Sequence, residues 1–170
     1  LDLRGLPVEW LIHIVHRHGG VLGPAHPYGE KVLSFATTVP KIRQKRLLKK
    51  FDFIETFNAC ESEERNEKAR YLALRYGKPG IGGSDAHRID CLGYGYTNLP
   101  DSIRDEDDFI RFIRNSNRIL SGGKRYNRTT KDKIGKWNHL LILLFLFQIS
   151  SLSRLPVSAC LCHAPLCRCE

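Results

Sequence analysis

The sequence predicts an α/β fold in which parallel strands are joined by crossover helices. Segments with the period of strands alternate with segments that have the period of helices, at the spacing of βαβ units. Apolar residues make up 42% of the chain and charged residues 26%, which is typical of a globular protein. The length of 170 residues suits one ordinary domain. These observations exclude a largely disordered chain.

The first half of the chain is predicted to contain two helices and two strands. Apolar residues recur at helical spacing near the start, until a pair of glycines ends the helix at residues 19–20. Residues 21–25 are predicted to form a short buried strand that ends at His26. Residues 40–50 are predicted to form a basic helix. Residues 51–57 alternate and are rich in aromatic side chains, as in a strand.

The second half continues the alternation of helices and strands. A helix is predicted for residues 66–76, with Gly77 at its end, and residues 79–83 form a short run into a polar motif. Residues 105–117 have the apolar spacing of another helix, and residues 118–121 are predicted to be a last strand.

The composition changes after residue 123, which predicts three segments. Residues 1–123 form the α/β part, residues 124–150 a basic segment with an apolar helix, and residues 151–170 an irregular tail that contains cysteines. The run of apolar residues that predicts this helix is too short for a membrane span, which needs about twenty apolar residues. No secretory signal opens the chain, so a reducing, cytoplasmic location is expected. The cysteine spacing in the tail matches zinc sites only weakly.

Positive charge is concentrated in two stretches of the sequence. The net charge is +9, yet residues 41–50 hold six basic residues and no acid, and residues 118–137 hold seven basic residues and one acid. Such local fields attract phosphate-bearing partners, including nucleic acid. Solvated helix faces explain the same pattern without a partner, so charge alone does not decide between them.

The motif Ser84-Asp85-Ala86-His87 carries the sharpest chemical signal. In an extended segment, residues i and i+2 face the same way, which predicts that the Asp85 and His87 side chains project together. A carboxylate beside an imidazole suits Zn²⁺, Mn²⁺ or Fe²⁺. A loop with a hydrogen-bonded histidine is the alternative interpretation.

A second signal comes from His26, which follows the predicted strand of residues 21–25. Sites in open α/β sheets and barrels form at the carboxyl ends of strands. Pro27 stops a central strand and is expected to hold His26 in extended geometry. Taken alone, a histidine at a strand end is usually only hydrogen-bonded.

In their order along the chain, these motifs resemble the carboxyl half of the PHP (polymerase and histidinol phosphatase) family. The resemblance covers about residues 1–123. It rests on Gly19-Gly20 with Ala25-His26-Pro27, Phe53-Ile54-Glu55-Thr56-Phe57-Asn58, Gly83-Ser84-Asp85-Ala86-His87, and Gly93-Tyr94-Gly95-Tyr96-Thr97. It implies the carboxyl-terminal portion of a distorted (β/α)7 barrel with parallel strands and metal ions at their carboxyl ends.

The resemblance also implies metal-dependent hydrolysis of phosphate esters. His26, Asp85 and His87 would be ligands of divalent ions such as Mn, Zn or Fe, which activate a water for attack on phosphorus. The substrate would be a phosphorylated metabolite or a nucleotide. Arg88 and Lys31 are candidates for binding its phosphate group.

The sequence departs from the family pattern at its amino end. The family's first ligands form a His-x-His pair far upstream of the Ala-His-Pro motif. The pair present here, His16-Arg17-His18, lies in a predicted helix, where residues i and i+2 point apart. We therefore expect an incomplete fragment, whose activity alone stays open. Two alternatives are a nuclease acting on nucleic-acid ends and an inactive basic binding module. Glu55 and Asn58 match the family's strand pattern, but we do not predict them to be ligands.

Overall fold

The computed structural model describes residues 5–29 and 34–126, in which three helices are followed by strands that alternate with helices. In chain order the elements are α1 (Val8–Arg17), α2 (Phe35–Thr38), α3 (Lys41–Lys50), β1 (Ile54–Asn58), α4 (Glu63–Tyr76), β2 (Gly80–Gly83), a 3₁₀ helix (Ile89–Cys91), β3 (Gly95–Thr97), α5 (Glu106–Asn115) and β4 (Ser121–Gly123). This composition agrees with the predicted α/β class.

Two units make up the chain, Leu1–Thr129 and Thr130–Glu170, and all described residues belong to the first. Lys31, the predicted apolar helix and the cysteine-containing tail lie outside the described residues, and the predicted segment boundaries stay predictions. Within the described part, no helix has the length and apolar character needed to span a membrane.

The central pairing is a parallel one between β1 and β2. Its register runs from Ile54 opposite Gly80 to Asn58 opposite Gly83. Gly80 also forms a parallel bridge with Ile119, in the region where the sequence predicts a last strand. The predicted parallel arrangement is therefore confirmed for these three segments.

A second pairing, between β3 and β4, is antiparallel and was not predicted. Gly95 lies opposite Gly123, so the last regular strand begins at Ser121 rather than at residue 118. The Thr97 hydroxyl bonds to both the N–H and the carbonyl oxygen of Gly82, at 3.0 Å each. A side chain thus joins β3 to β2, and the β3 backbone pairs with β4. The described strands form two sheets of two strands each, and the barrel stays a prediction.

The hydrophobic core lies around the amino end of β1. Ile12 of α1, Leu47 of α3 and Ile54 of β1 are buried there. Phe35 and Phe51 pack edge to face in the same cluster, with ring centroids 5.7 Å apart. Burying a Leu or Ile side chain fully contributes about 1.5–3 kcal/mol. This packing fixes the strand and leaves its carboxyl end to polar residues.

Helix α4 begins three residues earlier than the sequence predicts. Ser62 caps it, because its Oγ accepts from the Arg65 N–H at 3.4 Å, and the first turn carries two glutamates. The helix ends at Gly77, as predicted, and this residue has a left-handed φ of +60°. The earlier start brings Arg65 onto the helix.

Residues 21–25 run beside β1 without forming the predicted strand. Asp52 N donates to Leu22 O at 2.8 Å, and Glu55 N donates to Pro24 O at 3.3 Å. The reciprocal bonds of a ladder do not form, because Pro24 has no N–H and Leu22 N donates instead to the Asp52 side chain at 2.8 Å. The strand prediction is wrong, although the segment does lie next to β1.

Candidate active site

A carboxylate on β1, Glu55, lies at the centre of the candidate site. Its Oε2 accepts hydrogen bonds from the backbone N–H of His26 and from Asn58 Nδ2, the latter at 3.2 Å. Burial raises the pKa of the Glu55 carboxyl above its ordinary value. The two hydrogen bonds oppose that rise, and the nearby charge of Asp85 adds to it. Glu55 therefore interacts with both His26 and Asp85.

His26 adopts a backbone conformation that the sequence did not predict. Its φ is +27°, so the expectation of extended geometry before Pro27 is wrong. Two contacts hold this conformation: His26 N donates to Glu55, and Gly29 N donates to His26 O at 2.8 Å. A Cβ atom at Gly29 would lie 3.0 Å from His26 Nδ1, so a glycine lets the turn pass close to the imidazole.

The turn at residues 26–29 forms one wall of a small cavity against β1 and α4. Its volume is about 10 Å³, roughly the room of one water molecule. On the side of α4, Arg65 Nη1 lies 3.3 Å from Glu61 Oε2. The polar residues that line the cavity are His26, Glu55, Asn58, Glu61, Arg65 and Asn66. An imidazole, carboxylates and a guanidinium therefore share one small space, which suits a cation or a phosphate oxygen.

Asp85 also has a positive φ, +50°, just after the end of β2. The segment is not extended at this point, so the strand geometry expected for Asp85 and His87 is wrong. The two residues meet by another route, since His87 Nδ1 lies 3.0 Å from the Asp85 carbonyl oxygen and 3.8 Å from Asp85 Oδ1. A carbonyl oxygen only accepts hydrogen bonds, so Nδ1 carries the proton. In the neutral imidazole, this contact leaves the lone pair on His87 Nε2, where a metal ion would bind.

The structure places the His26 backbone against Glu55, and His87 beside Asp85. Within residues 5–29 and 34–126, no group of three or more His, Cys, Asp or Glu residues has the geometry of a metal site. The three-ligand site of His26, Asp85 and His87 therefore stays a prediction. What the structure adds is Glu55, whose carboxylate accepts a hydrogen bond from the backbone of His26.

An arginine that was not predicted to bind phosphate, Arg65, lines the cavity. Arg88 makes two contacts with Asp90 at 2.9 and 3.0 Å on the exposed surface. Lys31 lies outside the described residues. Arg65 lines the cavity beside His26 and follows Glu61 by four residues, the spacing of neighbours on a helix. The predicted helix start at residue 66 concealed this signal.

Part of the chain that includes the Asp85-His87 motif matches a known protein family. Residues 63–117 match a family model described as PHP-associated. The matched residues include α4, β2, the Asp85-His87 motif, β3 and α5, whereas His26 and Glu55 precede them. The match confirms the resemblance to the carboxyl-terminal part of the PHP family. Neither a curated protein nor a solved structure matches the chain.

Proposed function

We propose that this chain contributes His26, Asp85 and His87 to a metal-dependent phosphoesterase, which hydrolyses a phosphorylated metabolite or a nucleotide. Backbone strain at two of these positions carries the proposal. In the described part of the chain, His26 and Asp85 are the two non-glycine residues with a positive φ. Such conformations cost about 1–3 kcal/mol each and cluster at functional sites. Two predicted ligands thus coincide with the strained positions.

The side chains present fit a divalent ion such as Mn, Zn or Fe. Asp85 supplies a partly exposed carboxylate, and His87 presents Nε2 because its Nδ1 donates to the Asp85 carbonyl. His26 lines the neighbouring cavity. When bound, such an ion lowers the pKa of a water ligand towards neutrality and stabilises charge on phosphate oxygens.

The other polar groups of the cavity support substrate binding and ligand placement. Arg65 provides a guanidinium, the group that binds phosphate oxygens in bidentate fashion, and Glu61 orients it at 3.3 Å. Glu55 holds the His26 backbone, and Asn58 in turn donates to Glu55. This arrangement would place a phosphate-binding cation beside a predicted metal ligand.

The first test is the metal content of the purified 170-residue chain, measured by elemental analysis. The informative variant combines Asp85→Asn with His87→Ala, because asparagine tolerates a positive φ better than alanine does. A matched control combines Asp107→Asn with His13→Ala, which removes the same groups from exposed positions. We expect the parent and the control to bind Mn, Fe or Zn, and the Asp85 variant to bind at least about tenfold more weakly.

Two results would contradict the proposal for this chain. One is a parent that binds no metal, and the other is equal binding by the parent and the Asp85 variant. Where metal binding is lost only in that variant, the loaded parent is assayed with a simple aryl phosphate and with a mononucleotide, to measure hydrolysis directly.

A nuclease acting on nucleic-acid ends is a second candidate, and the surface of α3 favours it. Four lysines of this helix are exposed: Lys41, Lys45, Lys49 and Lys50. The arginines Arg43 and Arg46 contact Glu9 at 2.6 and 3.0 Å. Ionic strength discriminates between the candidates, because cleavage of a polymer falls steeply with salt whereas hydrolysis of a small monoester falls much less. An inactive basic module would bind nucleic acid without turnover at any metal concentration.

A further inference from the structure

We propose that Tyr126 is a positioning residue for the Asp85-His87 motif, an inference that rests on the function proposed above. The Tyr126 hydroxyl lies 2.7 Å from the Ser84 carbonyl oxygen and 3.1 Å from the Asp85 carbonyl oxygen. The Asp85 carbonyl oxygen is also the acceptor for His87 Nδ1, at 3.0 Å. Tyr126 therefore contacts the atom that fixes the protonated nitrogen of His87.

Contacts from the segment after β1 hold the Tyr126 ring in place. The Cys60 thiol contacts the Tyr126 hydroxyl as a donor, and Tyr126 N donates to Ala59 O at 2.9 Å. The ring also packs edge to face against Tyr94, with centroids 5.3 Å apart. Thiol, hydroxyl and carbonyl thus form one donor chain, in which each hydrogen bond strengthens the next.

This donor chain acts on a strained residue. The positive φ of Asp85 costs free energy in any residue but glycine, although less in Asp and Asn than in other residues, so contacts that hold it are part of the site. Tyr126 supplies such a contact at the peptide groups on both sides of the Asp85 α-carbon, since it reaches the carbonyls of residues 84 and 85. Without the hydroxyl, the Asp85 carbonyl is free to turn, and His87 Nδ1 loses a fixed acceptor.

The test compares Tyr126→Phe with Tyr94→Phe in the full chain. Each variant loses one phenolic hydroxyl and keeps its ring, so the pair separates hydrogen bonding from packing. On the metal-free protein, nitrogen NMR of labelled imidazoles distinguishes the two neutral tautomers of His87. We expect the parent and Tyr94→Phe to show the Nδ1-protonated form, and Tyr126→Phe to show a mixture. In titrations with Zn²⁺ or Mn²⁺, we expect Tyr126→Phe to bind about tenfold more weakly, with an unfolding temperature close to that of Tyr94→Phe.

The tautomer measurement separates this inference from the proposed function. A loss of the His87 tautomer preference in Tyr126→Phe supports the positioning role even if the parent binds no metal, a result that would refute only the function. The same tautomer in all three proteins overturns the inference. So does an equal weakening of metal binding in both variants, because the effect would then not depend on the contacts of the Tyr126 hydroxyl with residues 84 and 85. A second variant, Cys60→Ala, withdraws the thiol that holds the hydroxyl, and a smaller shift in the same direction is expected.

Discussion

Replacing Asn66 with alanine should detach helix α4 from the carboxyl end of β1. The Asn66 side chain makes two hydrogen bonds to the backbone of Asn58: Oδ1 accepts from Asn58 N at 3.0 Å, and Nδ2 donates to Asn58 O at 3.1 Å. Asn66 is 3% exposed and Asn58 2% exposed. The side chain therefore satisfies two buried backbone groups in the strand that carries Glu55.

The expected loss is about 2–4 kcal/mol in the free energy of unfolding. Each buried backbone group left without a partner costs about 1–3 kcal/mol, and the alanine variant leaves two of them. Water entering the space of the lost amide would satisfy part of this demand, which places the estimate in the lower half of the sum. Asn66→Asp keeps the acceptor, removes the donor and turns a carboxylate towards the Asn58 carbonyl, so we expect at least as large a loss.

Urea denaturation of the parent and the variants measures this loss. Asn115→Ala is the matched control, because the exposed Asn115 side chain donates to Arg111 O at 2.8 Å, and surface changes of this kind alter stability by about 0.5 kcal/mol or less. A loss below about 1 kcal/mol for Asn66→Ala, or a loss equal to that of the control, would refute the reasoning.

Arg65→Gln should weaken the binding of inorganic phosphate about tenfold in calorimetric titrations, because one charge-assisted hydrogen bond contributes about 1.5–3 kcal/mol. The control Arg88→Gln should leave phosphate binding nearly unchanged. The reverse order would favour Arg88 as the phosphate ligand. Glu9→Gln should make the free energy of unfolding less dependent on pH in the acidic range. The hydrogen bond from Arg43 lowers the Glu9 pKa from 4.5 to about 2, so the carboxylate stabilises the fold above its ordinary pKa. This stabilisation is lost as the pH falls towards 2. Parallel pH profiles of the unfolding midpoint would contradict this. Gly77→Ala should cost about 1–2 kcal/mol in thermal unfolding, because residue 77 has a φ of +60°, and an unchanged midpoint would contradict it.

Helices α1, α3, α4 and α5 were predicted from the sequence because their signals are local, whereas the short helix α2 was not predicted. Apolar spacing and a terminal glycine lie within a few residues of the helix that they define, as α4 shows, although its capping residue Ser62 was missed. The segment at residues 21–25 was not predictable in the same way. Its ladder fails because Pro24 has no N–H, and because the Asp52 side chain accepts from the Leu22 N–H from thirty positions away. No pattern within the segment itself reports that competition.

The candidate site shows the same division between local and distant signals. The residue types of the Asp85-His87 motif mark it as a potential metal pair, and the short run that precedes it forms β2. The manner in which the two residues meet was predicted wrongly, because the left-handed backbone at Asp85 replaces the extended geometry that we expected. Arg65 and Tyr126 were missed, since each becomes relevant only when the fold places it beside residues distant in sequence.

The strained residues His26 and Asp85 are held by groups that depend on the same strand. Glu55, which accepts from the His26 N–H, lies on β1, and Tyr126 is bonded to the two residues that follow this strand. β1 is anchored by the core at its amino end and by Asn66 at its carboxyl end. A strand that provides none of the three predicted ligands therefore determines the backbone of two of them. It follows that Asn66→Ala should impair metal binding at His26 and Asp85 together, whereas Tyr126→Phe should affect the Asp85-His87 pair alone.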